Sequence, residues 1–308
     1  MIAALSPARL GALCALVAVM FLSVNDVAIK LLSGNYALHQ VVLIRSLIGL
    51  LVIIVLIAPF TVGRNIARTK RPRMHILRGL CVVFANMTFF LGLAAMPLAD
   101  AVAIFFVSPL LITVFSVIFL DESVGPRRWV AIGIGLVGVL LMMRPGTAAF
   151  QIASVLPLAA AVFYATIHII TRRIAGTESA TTMAFYIQLM FILVCLCMGL
   201  AVGDGRFGDQ SDPSLAFLLR AWEWPALADW PLFLIIGAGI GFGGFLISQA
   251  YRVTEASYVA PFEYLALPMS VVWGMTVFDE FPDLPDYLGM ALIMGAGLFM
   301  VWREGRVD

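Results

Sequence analysis

Leu98-Ala99-Asp100-Ala101, leading through an apolar run to Phe119-Leu120-Asp121-Glu122 and then to Pro126 and Gly133, has an echo further along the chain. There Thr254-Glu255-Ala256-Ser257 leads to Phe278-Asp279-Glu280, then to Pro282 and Gly289, with an offset that stays near 155 to 158 residues. Each copy spans a run long enough to cross a bilayer and closes on an acidic turn. The chain therefore divides into two repeats, residues 1–147 and residues 148–308, of five apolar runs each. Because five is odd, the second copy must enter the membrane from the side opposite to the first.

Composition agrees with lipid as the solvent. The 308 residues are 62% hydrophobic and 12% charged, with a mean hydropathy of +1.04, far beyond the roughly half-apolar make-up of soluble domains. A crossing helix needs about 20 apolar residues, and ten such runs are readable, the first from Arg9 to Leu31 and the last from Leu284 to Trp302. The first run is long, carries Asn25, Asp26 and Lys30, and reads as a retained helix rather than a signal peptide. Arg64, Arg68, Lys70, Arg71, Arg73 and Arg78 crowd the second connection, and Arg127, Arg128, Arg172, Arg173, Arg252 and Arg306 fall on the same side. Cytoplasmic loops hold the excess of basic residues, so both termini are expected in the cytoplasm and the polar stretch from Gly203 to Asp229 outside. The expected fold is all-α and integral to the membrane: ten transmembrane helices as two inverted five-helix repeats.

Several classes of partner and chemistry find no support. A net charge of +1 without a basic tail gives no footprint for nucleic acid. Cys14, Cys81, Cys195 and Cys197 all lie in apolar runs and have neither disulfide nor zinc spacing. Gly133-Ile134-Gly135-Leu136-Val137-Gly138 and Gly239-Ile240-Gly241-Phe242-Gly243-Gly244 fit a dinucleotide fingerprint but sit inside apolar helices with no strand before them. Gly237, Gly239, Gly241 and Gly243 read instead as small residues that permit close helix contact. No cofactor and no metal is implied, and the expected partners are a small-molecule substrate, the lipid bilayer and a coupling proton.

Polar groups at membrane depth are costly and mark candidate sites. Asp26 of the first helix lies about 8 Å, and Arg45 of the second about 10 Å, from the outer helix ends at 1.5 Å per residue, so the two can meet at one depth. Two readings stand for that pair: an outer station for substrate, or a static ion pair locking the first two helices. Adding 142 or 143 to these numbers reaches His168 and Gln188, which form a corresponding inner station. Tyr164 shares a helix face with His168, Glu263 and Tyr264 follow Pro261, and Asn86 and Gln249 complete the polar set. Lys30 reads as a helix-end lysine reaching to the interface. Phe89, Phe105, Phe106 and Trp273 are candidates for cavity walls. The expected path thus runs between the first, second, sixth, seventh and ninth helices.

Three function classes compete: transporter, intramembrane enzyme, and membrane sensor. The enzyme reading lacks an H-E-x-x-H pair or a carboxylate cluster for metal-bound diphosphate, and no soluble signalling domain is appended for a sensor. Transport takes the weight, and inverted repeats place a substrate site near the midplane between the halves. The acidic turns of the repeat, Asn25-Asp26-Val27 with Lys30, and Ala260-Pro261-Phe262-Glu263-Tyr264 resemble the EamA-type drug/metabolite transporter superfamily over nearly the whole chain. Arg45, Arg71-Pro72 with His75-Ile76-Leu77-Arg78-Gly79, Val259-Ala260-Pro261 and Glu280-Phe281-Pro282-Asp283 are similar to a bacterial group that includes S-adenosylmethionine uptake carriers. Glu263 departs from that group's pattern. The Asp26 to Lys30 run and Leu110-Leu111-Ile112-Thr113 resemble riboflavin importers. The resemblance implies a secondary transporter of the bacterial inner membrane working by alternating access, for S-adenosylmethionine or a related amino-acid-like compound, with riboflavin import or amino-acid and amine export as alternatives.

Overall fold

Ten apolar elements follow one another in the computed structural model, which describes residues 6–121, 125–144, 152–254 and 259–304. They are α1 (Pro7–Leu32), α2 (Leu38–Val52, prolonged by a π-helical turn, Ile53–Ile57, and a 3-10 turn, Ala58–Phe60), α3 (Pro72–Ala95), α4 (Leu98–Phe105 and, past a break, Ser108–Leu120), α5 (Pro126–Met143), α6 (Val155–Ile174), α7 (Ala180–Val202), α8 (Trp230–Val253), α9 (Ala266–Val277, preceded by the 3-10 segment Ala260–Leu265) and α10 (Leu284–Glu304). No strand occurs among the described residues. Seven of the elements are long and apolar enough to cross a membrane, and shorter apolar stretches, Trp129–Met143, Phe262–Val277 and Leu284–Ala296, supply the other three. Glu122, Glu255-Ala256-Ser257, Arg306 and the expected boundary at 147/148 lie outside the described residues.

Local chemistry sets the helix ends. Pro7, Pro72 and Pro126 stand in the first turn of α1, α3 and α5, where a missing N–H loses no intrahelical bond. Ser179 caps α7 by accepting from the Thr182 N–H at 3.0 Å. At the start of α10, Asp283 and Asp286 cap one another: the Asp283 N–H donates to Asp286 at 3.0 Å and the Asp286 N–H to Asp283 at 3.1 Å.

The two halves share their irregularities. The first segment of α4 ends at Phe105, four residues before Pro109, whose ring opposes the carbonyl at that position. The regular helices resume at Ser108 in α4 and Ala266 in α9, 158 residues apart. Beyond them Asp121 (φ 56°) and Asp279 (φ 54°) are both left-handed, again 158 residues apart, a conformation that Asp tolerates better than most side chains.

Packing is also paired. The most extensive contacts join α1 to α8, α3 to α6 and α5 to α10, with α2 lying between α8 and α7. Exchanging each of α1–α5 for the helix five positions on maps α1–α8 onto α6–α3 and α5–α10 onto itself. Glycines permit these approaches: a Cβ on Gly237 would lie 2.4 Å from Ile48 of α2, while Gly243 lies against Phe21 of α1. Large apolar side chains, among them Leu51 of α2, Val55 just after it, Leu140 of α5 and Leu200 of α7, face outward, as a lipid-facing surface requires.

Candidate functional site

Six helices, α1, α3, α4, α6, α8 and α9, enclose a cavity of about 130 Å³. Its polar lining is Ser23, Asn25, Asp26, Asn86, Tyr164 and Glu263, and its aromatic lining includes Phe89, Phe90, Phe105 and Phe106. The break in α4 turns Phe105 and Phe106 inward; the Phe105 ring lies 5.1 Å from Phe89 and 5.0 Å from Tyr164. The 3-10 segment ahead of α9 carries Glu263 to the lining. No Lys or Arg is among the lining residues.

Glu263 is almost wholly buried and its two oxygens are used separately. Tyr164 Oη donates to Oε2 at 2.6 Å, and Tyr251 Oη of α8 donates to Oε1. The His168 ring lies between these tyrosines, 4.3 Å from Tyr164 and 3.7 Å from Tyr251. Neither of its nitrogens has a hydrogen-bond partner among the described residues. A carboxylate gripped by two phenols from different helices can exchange one of them for a cation or a proton as those helices move.

Elsewhere on the lining, the expected contact between Asp26 and Arg45 is replaced by a relay. Arg45 is fully buried, donating from Nη1 to Asn25 Oδ1 at 3.0 Å and from Nη2 to Asn86 Oδ1 at 2.5 Å. Asn25 Nδ2 then donates to Asp26 Oδ1 at 3.2 Å. Neighbouring side chains diverge by about 100° around a helix, so Asn25 turns to α2 while Asp26 faces the cavity. The guanidinium is sandwiched by Phe90 and Phe191, 5.3 and 5.2 Å from their ring centres.

The cavity differs from the expected path. Asp26, Asn86, Tyr164 and Glu263 line it, whereas Arg45, His168, Gln188 and Tyr264 stand outside the lining. Gln188 packs over Gly49 of α2, and the Tyr264 ring leans on Phe106 at 5.6 Å. Trp273 donates to Ser23 Oγ at 2.9 Å instead of forming a wall. Helices α2 and α7 contribute no lining residue; α3, α4 and α8 do, because the α1–α8 and α3–α6 seams bring those helices inward.

Charged side chains also tie the helix ends. Rather than reaching outward, Lys30 donates to Glu280 at 2.6 Å and to the Met96 carbonyl at 3.0 Å, while the second Glu280 oxygen accepts from the Leu98 N–H at 2.8 Å. At the opposite end Glu178 accepts from the Lys70 N–H at 3.0 Å and lies 3.2 Å from His75 Nε2. Arg78, grouped with the basic loop by sequence, is buried in α3 and donates to Thr171 at 2.6 Å and to the Met183 carbonyl and Ser248 at 3.2 Å. Tyr251 and Arg78 are two of the buried polar residues that sequence reasoning missed; an aromatic hydroxyl near a helix end and an arginine beside a basic loop carry no signal of burial.

Residues 9–144, from α1 to the end of α5, match the EamA-like transporter family. A riboflavin transporter of Vibrio cholerae serotype O1 is 31% identical over 307 residues, covering 96% of this chain and 94% of the relative. The chain belongs to the EamA-like transporter family. An S-adenosylmethionine uptake transporter of Rickettsia prowazekii is 28% identical over 286 residues, covering 92% of this chain and 90% of the relative. A pseudopaline exporter of Pseudomonas aeruginosa is 25% identical over 287 residues, covering 93% and 94% respectively. A solved crystal structure at 20% identity aligns with a TM-score of 0.67 over 97% of this chain and 98% of that one, a likeness of fold. This EamA-like protein is a multi-pass membrane transporter of the drug/metabolite transporter superfamily.

Proposed function

We propose that this EamA-like transporter carries a small polar organic metabolite across the bacterial cytoplasmic membrane by alternating access of two inverted halves, residues 1–147 and 148–308, with both termini cytoplasmic. One observation carries the reading. The cavity is lined by both halves, by α1, α3 and α4 of the first and α6, α8 and α9 of the second, and each half supplies one carboxylate, Asp26 and Glu263. Rocking one half against the other around such a site exposes it to each face in turn. The exchange symmetry of the helix contacts and the matched turns at Asp121 and Asp279 support the repeat.

The cargo we favour is S-adenosylmethionine or a related amino-acid-like compound, in keeping with the Rickettsia relative and with a cavity lined by carboxylates and no basic group. Asp26 and Asn86 bind cargo, with Arg45 holding the relay behind them. Glu263, oriented by Tyr164, binds the cation of the cargo or a coupling proton; His168 is placed to receive that proton, while Gln188 and Tyr264 back the walls. Riboflavin is the second reading, favoured by the Vibrio relative and by flat aromatic walls suited to stacking.

Uptake into proteoliposomes of S-adenosylmethionine, riboflavin and amino acids, with and without a pH gradient, tests the proposal. S-Adenosylmethionine should accumulate, and both Glu263→Gln and Arg45→Ala should abolish accumulation while inserting normally. Transport at the wild-type rate by both variants, or movement of no panel member, would remove it.

A further inference from the structure

A second and larger cavity, of about 430 Å³, shares no lining residue with the first. It is bounded by the start of α1, the turn after α2, the start of α7 and the end of α8. On α8, Ser248 and Tyr251 turn inward to Arg78 and Glu263. Phe245, Gln249 and Arg252, at i, i+4 and i+7, share a different face and line the second cavity. Leu10 and Cys14, at i and i+4 on α1, give it an apolar wall. Its hydroxyl groups are already used: Thr61 and Thr181 bond one another at 2.8 Å, and Ser179 caps α7. Two polar groups remain. The Gln249 amide makes no hydrogen bond among the described residues, and the half-buried Arg252 spends only Nε, on the Glu178 carbonyl at 3.1 Å. No Asp or Glu is among the lining residues, and Arg252 has no ion pair among the described residues.

A guanidinium without a counter-ion is costly beside lipid, and an anion with several oxygens answers both it and the amide. Polarity rises along α8 toward its end. Phe245, Gln249 and Arg252 succeed one another over about 10 Å, the order in which acyl chain, glycerol and phosphate follow in a phospholipid. A free anion would leave the wall of Leu10, Cys14 and Phe245 without a partner. Thr61, at the rim, is exposed next to the bare ring of Phe60, so the cavity opens on the apolar surface at the level of the helix ends. The Lys70 N–H and Arg252 Nε both reach Glu178, which puts those ends beside the basic loop, where anionic headgroups gather. We propose that this cavity binds one anionic phospholipid. Arg252 and Gln249 hold its phosphate, and Leu10, Cys14 and Phe245 hold the glycerol and the first part of the acyl chains. Because the lining is drawn from α1 and the turn after α2 in the first half and from α7 and α8 in the second, the lipid bridges the two halves, away from the cargo.

Three probes titrated into the full-length protein in a neutral detergent test the site: dioctanoyl phosphatidylglycerol, dioctanoyl phosphatidylcholine and glycerol phosphate. Apparent affinity is read from the rise in melting temperature. Wild type should bind phosphatidylglycerol at least about fivefold more tightly than phosphatidylcholine, whose added cation offsets the phosphate charge. It should bind it at least about tenfold more tightly than glycerol phosphate, which has no chains to bury. Arg252→Gln should erase the preference over phosphatidylcholine, whereas Arg73→Gln, an exposed arginine outside the cavity, should keep it. Gln249→Leu leaves the Arg252 bond to Glu178 in place and should weaken phosphatidylglycerol by about tenfold; it decides the matter if the Arg252 variant does not give a single gel-filtration peak. Equal affinity for the two lipids, or no binding of either, would overturn the proposal. Glycerol phosphate binding as tightly as phosphatidylglycerol would make this a site for a free anion, and equal losses in Arg252→Gln and Arg73→Gln would mean diffuse attraction to a basic surface; either result also overturns it.

Discussion

Glu263 shows how a costly residue is held at membrane depth with no counter-ion among the described residues. Two phenols share the work, Tyr164 from α6 and Tyr251 from α8, so its geometry reports the relative position of two helices that lie in the same half. Removing one phenol deletes a charge-assisted bond of about 1.5–3 kcal/mol. Because the cargo cation displaces a phenol, Tyr251→Phe should lower the KM for uptake by up to roughly tenfold with the fold intact; an unchanged KM in proteoliposomes would show that Tyr251 merely packs. Outside the membrane, the Arg144 guanidinium, 2.5 Å from Asp283, holds that carboxyl down at about 2 from its ordinary 3.8. A depressed carboxyl stabilises the fold above its unfolded value and ceases to do so as pH falls through its folded one. The melting-temperature difference between wild type and Asp283→Asn should be flat from neutral pH to 3.8 and vanish as pH drops toward 2. Since Asp283 is half exposed (51%), the whole effect is at most about 1 kcal/mol. Asp26, Asn86, Tyr164 and Glu263 were legible in the sequence because each interrupts an apolar run. Tyr251 was not, because its partner reaches it only through the packing of α8 on the segment ahead of α9. Arg78 was hidden by its neighbours Arg71 and Arg73, since only the convergence of α6, α7 and α8 on α3 distinguishes a buried arginine from a loop one.

At the level of elements, hydropathy located all ten runs, since it measures the property that selects them, but it cannot see a break inside one. The interruption at Phe106 and Val107 falls within a uniformly apolar stretch, and Pro109 was its only mark. That break matters because it aims Phe105 and Phe106 into the cavity. Helices α5 and α10 meet in a different way, through small residues. A Cβ added to Gly138 would lie 2.8 Å from the Gly289 carbonyl oxygen and 3.0 Å from Ile293, and backbone cannot withdraw cheaply. Gly138→Ala should destabilise by about 1–3 kcal/mol through overpacking. Gly133, on the same helix with open space at its Cβ, should respond oppositely: Gly133→Ala gains up to about 1 kcal/mol of helix propensity. Melting temperatures of the two variants in detergent check the pair, and equal shifts would mean that α5 and α10 do not pack through this seam.

For the whole molecule, the decisive question is whether the two halves cross the membrane in opposite senses. Symmetric contacts arise from any two-fold arrangement, so they do not by themselves fix which face each loop occupies. Gly34, in the turn after α1, and Gly176, in the turn after α6, are a suitable pair, because they stand 142 residues apart, the same offset that relates Asp26 to His168. Neither has an atom within 4 Å of an added Cβ, so a cysteine is accommodated at both. Cys14, Cys81 and Cys195 are buried and Cys197 is exposed, which makes Cys197→Ser the natural background. If five helices separate equivalent turns, Gly34→Cys should react with a membrane-impermeant maleimide in intact spheroplasts, and Gly176→Cys only after permeabilisation. The basic residues near each turn set the same expectation independently, since Arg172 and Arg173 precede Gly176 whereas Arg and Lys are absent from the turn between Leu31 and Leu38. Labelling of both positions from one face would break the inverted topology, and with it the proposal that two halves rock around a cavity to which each contributes one carboxylate, Asp26 and Glu263.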